Sequence, residues 1–222
     1  MKISLFCLLL CLPFLSSAQT VHYNITGTIK NPENAKYAYL IIRGKKAFAE
    51  PIVDGKFSFK DTIALGPGFY RGGYLLLDNR GNITAEEVDS KLRQQVWRMG
   101  VTPNLRNIAL EETQFAIETA DKLLDATIVK GGELTRQMAE FSEFRKERNF
   151  KGFVLKYPDS PVSISFISSI PRSFGLPMEL EEIERRFGSP RELFPLLSER
   201  LRTSEKGMEV KRVIDEAYKN KQ

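Results

Sequence analysis

"VDGKFSFKDTI", residues 53–63, is the stretch from which the fold is read. Phe57, Phe59 and Ile63 sit at odd positions and Lys56, Ser58 and Lys60 at even ones, the period-two signature of a strand with one buried face. Asp54-Gly55 precedes it, and a two-residue Asp-Gly turn between "AEPIV" and "KFSF" predicts a tight hairpin, because both turn residues tolerate positive φ. The same alternation runs through Val21, Tyr23 and Ile25 in "VHYNITGTI" and through Tyr37, Tyr39 and Ile41 in "KYAYLII". Further strands are expected over 73–77, 113–118 and 126–129. Asn31-Pro32 and Gly66-Pro67-Gly68 punctuate them. Half-buried antiparallel strands of this kind build a sandwich or a partly open barrel.

One helix interrupts the strands. Thr84 and Glu87 have capping-box spacing, and Val88, Leu92, Val96 and Met99 share a helical face before Gly100. Trp97, the only tryptophan, is expected to pack at the sheet edge beside that stripe. Beyond Gly131-Gly132, the expected joint, the chain reads as helices. Leu134, Met138, Phe141 and Phe144 line the first, which is expected to run towards Tyr157 before Pro158. Ser160-Pro161 opens a second with Val162, Phe166, Ile167 and Ile170, since proline is favoured in a first turn. Leu180, Ile183 and Phe187 stripe a third that Gly188 ends, and Ser189, Pro190 and Glu192 form a further cap. Val210, Val213, Ile214 and Ala217 mark the last. The fold class is therefore α+β: an N-terminal antiparallel β-sandwich or partly open barrel over residues 19–132, with a helical insertion near 84–100, and an α-helical region over 133–222.

Residues 1–18 read as a secretory signal peptide: Lys2, an apolar run from Ile3 to Leu15, and small residues Ser16 and Ala18 before a cleavage between Ala18 and Gln19. The run is shorter than the roughly 20 residues needed to span a bilayer. A lipid anchor on Cys11 is the alternative, disfavoured because Leu8, Leu9 and Leu10 precede it where small residues belong. Both cysteines, Cys7 and Cys11, leave with the signal, so the exported protein is expected to be free of thiols in a compartment that permits disulfides. Loss of Lys2 from the 33 basic side chains leaves 32 against 28 acidic ones, a net charge of +4. The signs are interspersed, with no basic run to follow a phosphate backbone, so nucleic acid is excluded as a partner. Peripheral membrane contact is left open.

Candidate chemistry is sparse. His22, the only histidine, lies four residues past the cleavage point, a poor place for a rigidly held catalytic base. One histidine and no retained cysteine exclude the common zinc sites. "GPGFYRGGY", residues 66–74, lacks phosphate-loop spacing and reads as turn chemistry. Glu86-Glu87, Glu111-Glu112 and Glu181-Glu182 invite a two-carboxylate hydrolase reading, but adjacent glutamates on a helix diverge. The pairs Glu181 with Arg185 and Glu182 with Arg186 are expected on a solvated helix face. Asn24-Ile25-Thr26 and Asn82-Ile83-Thr84 match the glycosylation sequon, which would carry no meaning if the protein were bacterial. No catalytic, cofactor-binding or metal-binding residue is assigned.

The order of "YNITGTIKNPENAKYAYLI", "VDGKFSFKDTI" and "TQFAIETADKLLDATIVKGGELTRQMAEF" resembles the N-terminal domain of unknown function that precedes the thioredoxin-like domain in exported thiol-disulfide oxidoreductases of Bacteroides-type bacteria. "FVLKYPDSPVSISFISS" and "LSERLRTSEKGMEVKRVID" resemble the helical linker of that family. Together they span most of residues 21–216. In the family, redox work belongs to a Cys-x-x-Cys pair in the downstream thioredoxin fold; this sequence ends at Gln222, where that fold would begin, so no catalytic residue carries over. The stretch from Thr84 to Asn107 is longer than the family pattern. The resemblance implies an exported, periplasmic or cell-envelope accessory module, without enzymatic activity or cofactor, that contacts a protein partner such as a thioredoxin-fold oxidoreductase. The rivals are a divided oxidoreductase, whose thioredoxin half is encoded separately, and a carboxylate-based hydrolase.

Overall fold

The computed structural model describes residues 19–42, 46–66 and 68–221. The signal segment, the Ala18 side of the cleavage point, both cysteines and Pro67 lie outside the described residues. Eight strands come first: β1 (Thr20–Asn31), β2 (Tyr37–Ile42), β3 (Lys46–Pro51), β4 (Lys56–Ala64), β5 (Gly72–Asp78), β6 (Leu105–Ala109), β7 (Glu112–Thr119) and β8 (Thr127–Gly131). They form two four-stranded sheets, ordered β4-β1-β7-β8 and β3-β2-β5-β6. Helices α1 (Ala85–Arg93), α2 (Glu133–Lys146), α3 (Phe150–Lys156), α4 (Pro161–Ser169), α5 (Leu180–Phe187), α6 (Pro190–Leu193), α7 (Glu199–Thr203) and α8 (Glu205–Lys221) complete the chain, with α1 between β5 and β6. The α+β class stands as expected.

The sandwich core is the set of alternating residues. Tyr23, Ile25 and Ile29 of β1, Phe57 and Phe59 of β4, and Phe115 and Ile117 of β7 meet Ala38, Leu40, Ile42, Leu75, Leu77 and Ile108 of the second sheet. Each fully buried large side chain contributes about 1.5–3 kcal/mol by leaving water. Gly27 makes room within this layer: a Cβ there would lie 2.2 Å from the Phe57 ring of the facing residue.

The structure corrects the sequence reading in several places. The first sheet is mixed, since β1 runs parallel to β7 from Asn24 to Asn31. The Asp54-Gly55 turn forms with φ of 50° and 71°, and Val53 and Lys56 bridge across it. Pairing stops there, because β3 joins β2 while β4 joins β1: the turn carries the chain from one sheet to the other. Each sheet then buries its own apolar row, Phe57 and Phe59 on one side and Phe48 on the other. Strand β2 is buried on both faces, not one. Its Tyr39 and Ile41, with Tyr74, Leu76 and Leu105, form the outer face of the second sheet and pack under Ile83, Ala85 and Val88.

Helix α1 ends at Arg93 instead of reaching Met99, and the chain then turns back into β6, a strand absent from the sequence reading. Leu92, Trp97 and Met99 still pack against the second sheet, so Trp97 lies where expected, with the Lys91 ammonium 4.2 Å from its ring centroid. Half of the Thr84 capping box forms: the Glu87 N–H donates to Thr84 Oγ1 at 3.2 Å, but the Glu87 carboxylate turns to Lys91 and Arg80.

Among the helices, α2 and α3 are separate, broken where Arg148 takes φ 56° and Asn149 caps α3 through the Gly152 N–H at 3.0 Å. Helix α4 begins as expected, with Ser160 Oγ accepting from the Val162 N–H at 3.0 Å. Ser189 makes no side-chain cap for α6; its hydroxyl lies 3.1 Å from the Tyr218 hydroxyl instead. Tyr218 also donates to Glu184 and lies under Arg191, 3.7 Å from ring centroid to guanidinium carbon. Burial, reinforced by Glu184, pushes this phenol up to about 12, so it stays protonated as a donor. The helical core gathers Val154, Ile164, Ile167, Ile183, Leu201, Val210, Ile214 and Tyr218.

Candidate interaction surface

The residues singled out as possible catalysts do not converge. His22 lies on the exposed face of β1, its Nδ1 2.7 Å from Thr62 Oγ1 on the paired strand. Glu87 is held by Lys91 at 2.9 Å and Arg80 at 3.0 Å, and Glu112 by Lys130 at 2.8 Å. Glu182 takes both Arg185 and Arg186, so the expected Glu181–Arg185 pair is replaced by an i,i+3 contact. The carboxyls of Glu87, Glu112 and Glu182 are all held below their ordinary range, first by hydrogen bonds from Lys91, Lys130 and Arg186 respectively. A general acid needs the opposite shift, so none of these three glutamates fits that role. Among the described residues no group of His, Cys, Asp and Glu could hold a metal ion. No described helix is long and apolar enough to cross a membrane.

Glu111 has a role that the sequence reading missed. Gly132 precedes α2 and offers no side-chain cap. The Glu111 carboxylate supplies it from the β6–β7 turn, accepting from the Leu134 N–H at 3.1 Å, the Thr135 N–H at 2.8 Å and Thr135 Oγ1 at 2.9 Å. Thr135 Oγ1 in turn accepts from the Ala109 N–H of β6 at 3.1 Å. An anion at a helix N-terminus meets free N–H groups and the favourable end of the dipole, so this cluster fastens the helices to the sandwich. A cap donated from 23 residues upstream leaves no short-range motif in the sequence.

The two sheets differ in what covers them. The outer face of the second sheet lies under α1 and its following loop. The outer face of the first sheet is solvated and polar, carrying Thr26 and Thr28 from β1, Lys56, Ser58 and Lys60 from β4, and Gln114 from β7. Thr26 faces Ser58 on one neighbouring strand and Gln114 on the other. With Glu50, Pro51 and Val53 these side chains border a shallow depression of about 680 Å³. A second groove, about 470 Å³, separates Phe69 from α8; there Lys206 Nζ crosses to the Gly68 carbonyl. The "GPGFYRGGY" segment thus connects β4 to β5 and touches α8, as turn chemistry.

No protein-family model, curated protein or solved structure matches the chain.

Proposed function

We propose that the protein is an exported, non-catalytic module that works by contact with a protein partner in a thiol-disulfide oxidoreductase system. The observation that carries the contact reading is the unequal covering of the two sheets. One outer face is sealed by α1 and Trp97, while the other keeps a solvated four-stranded surface of threonine, serine, glutamine and lysine. The sequence resemblance to the domain that precedes thioredoxin folds supplies the system and the compartment. In this reading the helices brace the sandwich through Glu111 and Thr135, and the thiols belong to the partner.

The test is affinity co-purification of the tagged protein from its native cell envelope, with mass spectrometry of what accompanies it. Reproducible recovery of a thioredoxin-fold protein is the expected result. Recovery of no partner under gentle conditions overturns the contact reading. Intact mass of the exported product checks the processing: a chain beginning at Gln19 is expected, and one beginning at a lipid-bearing Cys11 overturns it.

A further inference from the structure

A sheet leaves unpaired N–H and C=O groups along its outermost strands, and proteins shield such edges or use them. Four strands end the two sheets here: β4, β8, β3 and β6. On β8 the Arg136 guanidinium donates to the carbonyls of Ile128, at 3.2 Å, and Gly131. On β6 the outward Ala109 N–H is taken by Thr135 Oγ1 of α2. Strand β3 is six residues long and ends in Pro51, which has no N–H to offer.

Strand β4 has nine residues and, among the described residues, its one partner strand is β1, Lys56 also bridging to Val53 across the turn. The bonds from Ile29 N–H to the Gly55 carbonyl and from Leu65 N–H to the Gln19 carbonyl, both 2.7 Å, set the alternation. Odd residues of β4 bond to β1, so even residues direct their N–H and C=O outward. Lys56 spends both groups on the turn with Val53, and the Thr62 N–H donates to Asp61 Oδ1 at 2.7 Å. The outward groups of Ser58 and Lys60 enter no hydrogen bond among the described residues.

The two sides of this edge differ in chemistry. Towards the solvated face stand Lys56, Ser58 and Lys60, and neither lysine enters an ion pair among the described residues. Towards the sandwich interior lie the half-buried Phe48, Ile52 and Ile63, with the exposed Asp61 as the one charged side chain of β4 in that row. A strand laid against Ser58–Thr62 alternates its side chains between these environments. Acidic residues suit the lysine side and apolar residues the other. A second copy of β4 brings lysine-bearing strands together, so like charge weighs against it.

We propose that the open edge of β4 docks an extended segment of another protein in which acidic and apolar side chains alternate, added as a further strand beside Ser58 and Lys60. The proposal rests on the reading that the protein works by protein contact. Main-chain hydrogen bonds supply the affinity in this mode and the alternating side chains the selectivity.

The test uses the exported protein and two fluorescein-labelled heptapeptides, one alternating glutamate with valine and one alternating lysine with valine. In fluorescence anisotropy at low ionic strength the acidic peptide is expected to bind about tenfold or more tightly than the basic one, and salt to weaken it. Amide shifts on titration are expected to centre on Ser58 and Lys60. Ser58→Pro blocks the edge without removing a bond to β1, and is expected to lower affinity about tenfold or more. The double reversal Lys56→Glu with Lys60→Glu, which leaves the backbone alone, is expected to invert the preference. Equal binding of both peptides, indifference to the double reversal, or shifts centred elsewhere overturns the proposal. If the double variant recovers the same envelope partner as the unaltered protein, the edge proposal falls and the contact reading stands. If the unaltered protein recovers none, the contact reading falls.

Discussion

Glu111→Ala is expected to loosen the helices from the sandwich. The carboxylate accepts two N–H groups in the first turn of α2 and the hydroxyl of Thr135, which is 1 % exposed. Loss of a helix cap costs about 1 kcal/mol. Loss of a negative charge at the N-terminus adds about 0.3–1 kcal/mol. The buried Thr135 hydroxyl, left as a donor with no acceptor, adds roughly 1 kcal/mol more. The total is about 3 kcal/mol, which for a chain of this size lowers the melting temperature by roughly 6–12 °C. Glu111→Gln keeps an acceptor but not the charge, and is expected to lose about 1 kcal/mol. Calorimetry with urea titration reads both. Thr135→Val alone removes the hydroxyl from Glu111 and from the Ala109 N–H, so the double variant measures the coupling, expected at roughly 1 kcal/mol or more. If Glu111→Ala lies within about 0.5 kcal/mol of the unaltered protein, the cluster does not fasten the helices and the reasoning is wrong.

Other consequences are as direct. Thr113 is 2 % exposed and its hydroxyl has no hydrogen-bond partner among the described residues, so Thr113→Val, of the same shape, is expected to stabilise the fold by about 1 kcal/mol, read as a higher urea midpoint. Gly131 holds φ 61°, and a Cβ there would lie 2.0 Å from the Glu112 carbonyl oxygen, which accepts the Gly132 N–H at 2.8 Å. Gly131→Ala is expected to cost about 2 kcal/mol or more, and an unchanged melting temperature refutes that. Glu87, held first by Lys91, and Glu140, held first by Lys156, have carboxyls below the ordinary value of 4.5. The folded state therefore takes up their protons less readily than the unfolded one. Their contribution is full above about 4.5 and lost as pH falls through and below that value, so melting temperature is expected to drop between pH 5 and pH 3. A flat profile over that range contradicts the assignment.

Legibility in the sequence tracks the range of the interactions. Phe57 and Phe59, Tyr23 and Ile25, and Ile183 and Phe187 announce their elements because burial of a strand or helix face repeats every two or about 3.6 residues. That period survives wherever the element is placed. The Asp54-Gly55 turn was legible for the same reason, since positive φ is a local property of the two residues. The pairing of the strands on either side of that turn was not. Whether β3 and β4 stay paired depends on which core each row of aromatics enters, and that is settled by residues tens of positions away. Strand β6 escaped notice because Leu105 serves one face of its sheet and Ile108 the other, which erases the alternation. The candidate surface divides along the same line. The pattern of "KFSFK" by itself sends Lys56, Ser58 and Lys60 out of the core. Only the tertiary structure decides that Arg136 covers β8, that Thr135 covers β6 and that nothing described covers β4, because Pro51 blunts β3 from within its own sequence whereas these covers come from whatever folds beside the strand.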